Sequence, residues 1–318
     1  MGFADRPEPY FGRVALDAGA STQGSYLIVL DAQAPAYWDG WRLGLTVSFL
    51  RANRLGYYGQ GNNTVYDPDS TTASSYFYRV SRTNQAARLT VQRRIVGPLR
   101  VLAGGSLEHA SFRPLPGTTL YQRDSVGPFS DAVARAGLIV DTRDLEVDPH
   151  RGVFAEALVA SGKGYTRATG SVHVYVHPLR RLILAGRLGA ENITGTAPIS
   201  VQQTMETSEG QIVAVGGARS LRGYYDGRFL GPGKLVGGLE ARYGVKWLPR
   251  VLELKLFGFY DAGRVFGPGE SVELTRHGLH AAWGGGAALA LLRNSLIILE
   301  AGKGTEPMLV TFATAWSF

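Results

Sequence analysis

Residues 216–228 read GGARSLRGYYDGR. Two glycines lead in, Arg222, Gly223 and Tyr224 form the centre, and further charges follow. A guanidinium is a planar fork, suited to paired, charge-assisted bonds with carboxylates. The next two apolar stretches each carry a carboxylate, Glu240 in GGLEARYG and Asp261 in FGFYDAG. Gly223 permits a close backbone approach, and Tyr224 offers a ring face with a hydroxyl at its end. By spacing alone Arg222 reads equally well as a solvated loop arginine.

Other chemistry is poorly supported. The chain has no Cys, which removes disulfides and thiolate metal sites. Of its 6 His, His173 and His177 are four apart in an extended run, about 13 Å at about 3.3 Å per residue. That is too far to share an ion. His277 and His280 fall at a loop or strand end. No Gly-x-Ser-x-Gly turn is present. No enzyme activity, cofactor or metal is expected. The net charge of +7 is spread one residue at a time over many extended runs, not gathered in a patch, so nucleic acid is not expected as a partner.

The elements that would hold these residues alternate with period two. In 41–49, Trp41, Leu43, Leu45, Val47 and Phe49 oppose Arg42, Gly44, Thr46 and Ser48. In 239–247, Leu239, Ala241, Tyr243, Val245 and Trp247 oppose Glu240, Arg242, Gly244 and Lys246. The runs last roughly nine to thirteen residues, the length of a tilted membrane-crossing strand and longer than strands of soluble sheets. The polar faces carry both signs of charge. This predicts an all-β antiparallel transmembrane β-barrel, apolar outside and polar inside. About fourteen strands are expected, with sixteen also compatible. Their approximate spans are 12–20, 24–33, 40–52, 74–94, 98–110, 129–142, 152–162, 165–178, 181–193, 235–247, 251–264, 278–292, 294–303 and 308–318. Residues 1–11 form a short N-terminal segment and 12–318 a single barrel domain. The long connections are 53–73, 111–128, 194–234 and 265–277, and the short ones alternate with them. Short inner turns and long outer loops are the expected asymmetry, and an even strand count puts both termini on the periplasmic side. Trp41, Phe49, Trp247, Tyr260 and Trp316 are placed for interfacial girdles. Gly284, Gly285 and Gly286 suggest a bend or a close backbone approach. No apolar run suits a transmembrane helix, and the first residues show no signal peptide.

The loop 194–234 is long enough to fold back into such a lumen. Alternation turns Glu240 inward, together with Glu253, Lys255, Phe257, Phe259 and Asp261, so both acids would meet Arg222. Arg135, Glu156, Arg167, Arg187 and Glu191 would form a charge network of their own on the inner wall. The turn bearing Asp141, Arg143, Asp144 and Arg151 is expected to be solvated, with an ion pair inside it. The chain ends in FATAWSF, where alternation puts Phe312, Thr314, Trp316 and Phe318 on one face. This terminal strand is expected to pair antiparallel with 12–20 in a weak seam.

The order GGARSLRGY, GGLEARYG, FGFYDAG and a terminal Phe resembles the bacterial surface antigen superfamily of outer-membrane insertases and translocators, which includes the two-partner-secretion transporters. VDTRDLEVDPHRGVFAE at 140–156 and YYGQGNNT at 57–64 resemble further segments of that family. The resemblance implies that Arg222, Gly223 and Tyr224 are the tip of a lumen-entering loop docked on Glu240 and Asp261. It implies that Phe312, Trp316 and Phe318 are a C-terminal assembly signal and that the seam between the first and last strands is a lateral gate. It further implies a bacterial outer-membrane location, among outer-membrane lipid and lipopolysaccharide, with unfolded outer-membrane or secreted polypeptides as clients. Family members carry POTRA domains before a usually sixteen-stranded barrel. Only about eleven residues precede the first expected strand here, which fits either a branch without POTRA domains or a shortened chain. The alternative to an insertase is a structural barrel or passive pore.

Overall fold

The computed structural model describes residues 8–124, 127–248, 251–291 and 295–318. Fourteen strands form one antiparallel sheet: β1 (Arg13–Ala20), β2 (Tyr26–Trp38), β3 (Trp41–Gly56), β4 (Arg79–Val96), β5 (Leu99–Pro114), β6 (Phe129–Asp141), β7 (Gly152–Gly162), β8 (Tyr165–Leu179), β9 (Leu182–Gly195), β12 (Gly233–Leu248), β13 (Leu252–Phe266), β14 (His280–Leu291), β15 (Ser295–Lys303) and β16 (Leu309–Ala313). Each pairs with its neighbour in chain order, and β9 is joined to β12 across the longest loop. That loop contains a small hairpin, β10 (Thr204–Thr207) and β11 (Gly210–Val213), which the alternation pattern missed. Its strands are too short to stand out in a sequence, although the intervening Ser208-Glu209-Gly210 is a turn signal.

The two faces separate by chemistry. Trp41, Leu45, Phe49, Val172, Val174, Leu239 and Tyr260 are exposed on the outer face, while Arg167, Arg187, Glu240 and Asp261 are buried inside. An apolar outer face over a charged interior is the inverse of a soluble protein, and it suits lipid. The Trp247 side chain lies outside the described residues.

Burial is uneven around the sheet. The inward positions of β9 and β13 are buried with near-perfect alternation, whereas β1 has no buried residue. The inner cover comes from the loop between β9 and β12.

Three expectations need correction. First, β16 ends at Ala313, and residues 314–318 bend inward. Phe312 faces outward at 65% exposure, but Trp316 and Phe318 are buried at 4% and 8%. The three aromatics therefore do not share a face, and Trp316 is not a girdle residue. The inward bend gives both rings cationic partners: Arg242 lies 3.8 Å over Trp316 and Arg187 lies 4.9 Å over Phe318. Second, among the described residues β1 pairs with β2 and β16 with β15, and no strand ladder joins β1 to β16. Losing residues 314–318 from the strand shortens the edge that β1 would need. Third, the turn between β6 and β7 is solvated only in part: the expected ion pair forms, Arg143 to Asp141 at 2.9 Å, and Arg151 is exposed, but neighbouring acids of the same turn are drawn inward. Asp148 is buried at 5%, bonded to Lys255 Nζ and accepting from Trp316 Nε1 at 2.9 Å. Glu146 pairs with Arg42 at 2.5 Å. Inward-facing cations at this mouth draw the acidic turn in.

Candidate functional site: a loop tip docked inside the barrel

The wall that receives the loop is made by β12, β13, β14 and β15. Gly238 is opposite Asp261 and Glu240 opposite Phe259 in the β12–β13 register. Glu240 and Asp261 thus lie diagonally on one inner face, within reach of a single long side chain. On β14 the inward positions are small, with Gly284 beside Phe259 and Gly286 beside Glu300. A Cβ on Gly284 would come within 2.6 Å of the Phe259 ring, and one on Gly286 within 2.8 Å of the Glu300 backbone. These glycines are where the pattern placed a close approach, and they clear the floor on which the loop sits.

The loop backbone is turned by Gly216, Gly217 and Gly223, with φ of 112°, 103° and 91°, a region that side chains with a Cβ rarely adopt. At Gly223 the backbone touches the wall: a Cβ there would lie 2.8 Å from Lys303 N, and one on Gly302 would lie 2.7 Å from Gly223 N. This contact delivers Arg222 to the wall. Its Nε donates to Asp261 Oδ2 at 2.8 Å and its Nη2 to Asp261 Oδ1 at 3.0 Å. The Arg222 amide also donates to Asp261 Oδ2 at 3.1 Å. Nη1 donates to Glu240 Oε2 at 2.6 Å and reaches Glu300 Oε2 at 3.5 Å. The guanidinium lies 3.6 Å over the Phe259 ring. Tyr224 is buried beside Phe229, and its hydroxyl lies 3.2 Å from Thr305 Oγ1.

The charges balance locally. Arg242 pairs with Glu240 at 2.6 Å, and Arg187 lies 3.9 Å from Asp261. Arg187 also donates to the carbonyls of Arg219 at 2.7 Å, Ser220, and Ser317 at 3.0 Å. Arg187, Arg222 and Arg242 are thereby set against Glu240, Asp261 and Glu300. In a confined, weakly screened space such matching is required, because a buried charge without a counter-charge is costly. Buried among these acids, the Arg222 guanidinium is held more firmly protonated than usual, since bonding to Asp261, Glu240 and Glu300 outweighs the opposing effect of burial.

Glu300 and Phe259 are contacts that the sequence reading did not assign to Arg222. Alternation in LIILEAG does turn Glu300 inward with Leu296 and Ile298. What it lacks is the distance across β14, which depends on the two glycines. The remaining wall charges gather under the small hairpin. Arg167 pairs with Glu191 at 2.9 Å, Lys234 joins Glu191 at 2.8 Å, and Glu206 of β10 takes Arg88 and Arg135, each at 2.7 Å. Glu156 accepts from the Ser208 amide at 2.9 Å. Arg187 serves the loop tip, and Glu206 was not foreseen. At the other mouth, ligand atoms of Asp148, His150 and Glu253 lie within 4.8 Å of one another. Lys255 Nζ already supplies positive charge there, bonded to Asp148 and 3.6 Å from Glu253.

A charged loop tip locked on the inside of a lipid-facing antiparallel sheet defines an outer-membrane β-barrel with an internal loop. The Omp85 superfamily domain matches residues 13–294, and the chain belongs to that superfamily. Among solved structures, BamA from Haemophilus ducreyi lacking POTRA domains 1–3 aligns with a TM-score of 0.60 at 13% identity, covering 95% of this chain and 64% of that one. CdiB from Escherichia coli aligns at 0.58 and 12% identity, covering 93% and 54%. CdiB from Acinetobacter baumannii aligns at 0.55 and 14% identity, covering 95% and 53%. The chain thus spans between about half and two thirds of the length of these structures. No curated protein matches the sequence significantly.

Proposed function

We propose that this chain is a barrel that assists the insertion of outer-membrane proteins or the translocation of polypeptides. Residues 12–318 act as one barrel domain, with both termini periplasmic and the long loops outside. Arg222, Gly223 and Tyr224 anchor the loop on Glu240 and Asp261. Phe312, Trp316 and Phe318 serve as the signal by which the barrel itself is assembled, before the last two turn inward. The observation that carries the reading is the unladdered seam. Among the described residues every other neighbouring pair in the sheet is hydrogen-bonded, so an extended client has one place there to add a strand. The seam is then a lateral gate. The inserted loop supports this over a passive pore, because it occupies the lumen that a pore would leave open.

The absence of native cysteine gives a clean test. Cysteines replacing Ala20 on β1 and Leu309 on β16, which line one cavity, are bridged with a bis-maleimide carrying a reducible spacer to lock the seam. Client insertion into liposomes should stop on cross-linking and recover when the spacer is reduced. Undiminished insertion with the seam locked would defeat the gate reading.

A further inference from the structure

Near the loop end, the seam leads into a chamber of about 840 Å³. Gly19 and Ala20 of β1 and Leu309, Val310 and Thr311 of β16 form its two lips, and the docked tip forms its floor. Besides the docked Arg222, four arginines line it: Arg51, Arg54, Arg79 and Arg82. Among the described residues none of the four has a carboxylate within the 4.0 Å reach of an ion pair. The hydrogen bonds of Arg51, Arg54 and Arg79 go to neutral groups, while Arg82 has the Glu108 carboxylate of β5 nearby, beyond ion-pair reach. Arg51 Nε donates to Asn53 Oδ1 at 2.9 Å, Arg54 to the Tyr76 hydroxyl at 3.0 Å, and Arg79 to the Arg54 carbonyl at 3.4 Å. Asp226 is the one acid on the lining. Elsewhere in the lumen cations touch acids, so a set of four cations that outnumbers Glu108 and Asp226 and touches neither in a walled space points to an anion supplied from outside.

The walls say more about that anion. Leu27, Leu50, Leu55 and Leu309 give the chamber an apolar side, and Tyr58 and Tyr225 stack in parallel at its edge, with centroids 5.6 Å apart. Outside the lips runs the lipid-facing surface, with Leu16, Val310 and Phe312 exposed at 68%, 65% and 65%. A molecule entering sideways could keep its apolar part in the bilayer while its head lies among the arginines. The volume falls within the range of about 300–1,000 Å³ for small-molecule sites. An added client strand would use the backbone of the two edges and would have no need of four cations.

We propose that this chamber binds the phosphorylated sugar head of a membrane glycolipid of the lipid A type. Arg79 and Arg82 take a phosphate, the half-buried Tyr225 meets the sugar with Tyr58 stacked behind it, and the acyl chains remain outside β1 and β16. The choice of a glycolipid over a glycerophospholipid rests on the proposed orientation, which puts this end of the barrel at the outer leaflet.

The test is native mass spectrometry of the detergent-folded barrel with lipid A, with phosphatidylglycerol and with inorganic phosphate. Wild type should retain lipid A in preference to the other two. The double variant Arg79→Gln/Arg82→Gln should lose roughly tenfold in retention, as expected when charge-assisted bonds to a phosphate are removed. The control Arg93→Gln, whose side chain stacks on Trp41 away from the chamber, should bind as wild type. Unchanged retention in the double variant, or an equal loss in the control, overturns the site. Equal retention of phosphatidylglycerol or of phosphate alone overturns the glycolipid assignment, and so does displacement of lipid A by an extended apolar-alternating peptide. Folding is verified by heat-modified gel mobility; if the double variant does not fold, Arg54→Gln at the rim is read by the same criteria. Binding in detergent needs no client, so this result stands apart from the insertion assay.

Discussion

Arg222 concentrates the energetics of the lumen in one side chain. Removing it leaves Asp261, Glu240 and Glu300 facing inward with only Arg187 and Arg242 to neutralise them. Breaking a buried ion pair from one side costs about 3–5 kcal/mol. Arg222→Ala should therefore unfold at a clearly lower temperature in heat-modified gel mobility, with Asp261→Ala behaving alike. Arg222→Lys should recover only part of the loss, because an ammonium cannot span two carboxylates as a fork does. Equal unfolding temperatures for all four proteins would remove the anchor role. Gly302 gives a second probe on the wall side. A methyl there would meet Gly223 N at 2.7 Å and Gly223 Cα at 3.1 Å, backbone atoms that cannot rotate away. Gly302→Ala should cost about 1–3 kcal/mol and make the loop more open to protease, read as cleavage between β11 and β12. At this scale much was legible from types and alternation: Arg222, Glu240 and Asp261 were named from the sequence and meet in space. Glu300 and Phe259 were not tied to them, since their approach depends on missing side chains on β14.

Among the elements, the β6–β7 turn shows how a loop can be tied down by its own carboxylate. Asp144 accepts from the amides of Leu145 at 3.0 Å and His150 at 2.9 Å, and from the His150 ring at 3.3 Å. Burial pushes its carboxyl up, but the bonds from His150 and Arg151 outweigh this and hold it down at about 2. An unfolded Asp titrates near 3.9. The folded value is the lower one, so the stabilisation is complete above about pH 4 and is lost as the pH falls through about 2. Thermal unfolding followed between pH 5 and pH 2 should show this acid limb in wild type and a shallower one in Asp144→Asn; parallel curves would contradict it. The strands themselves were legible because a face against lipid and a face against charge leave a two-residue period. The inward acid of the turn and the course of the terminal residues were not legible for one reason. Both leave the regular strand and are then placed by cations on distant strands, Lys255 for Asp148 and Arg187 and Arg242 for the tail. A local pattern holds no record of those partners.

For the whole molecule, connection length gives a sidedness that can be read in cells. The stretch between β13 and β14 is long and that between β2 and β3 is a tight turn. A cysteine replacing Glu273 should react with an impermeant maleimide on intact cells, and one replacing Asp39 only after the outer membrane is permeabilised. The opposite pattern would invert the proposed topology. The fold class and the fourteen-strand order were readable from the sequence, because each strand repeats the same contrast. Whether the two edge strands meet was not, because their pairing depends on where β16 turns away from the sheet.

The uneven burial around the sheet has a mechanical consequence. Loop, hairpin and tail brace the inner faces from β6 to β15 and reach Arg88 on β4, while β1 has no buried residue and β2 has one. A barrel built this way is stiff on one side and compliant on the other. Thermal breathing should concentrate in the first strands, and amide hydrogens there should exchange with deuterium well before those of β9, β12 and β13. Any force that widens the molecule, whether from lipid pressure or from a guest, would be absorbed by the compliant side, with the braced wall as the fixed frame.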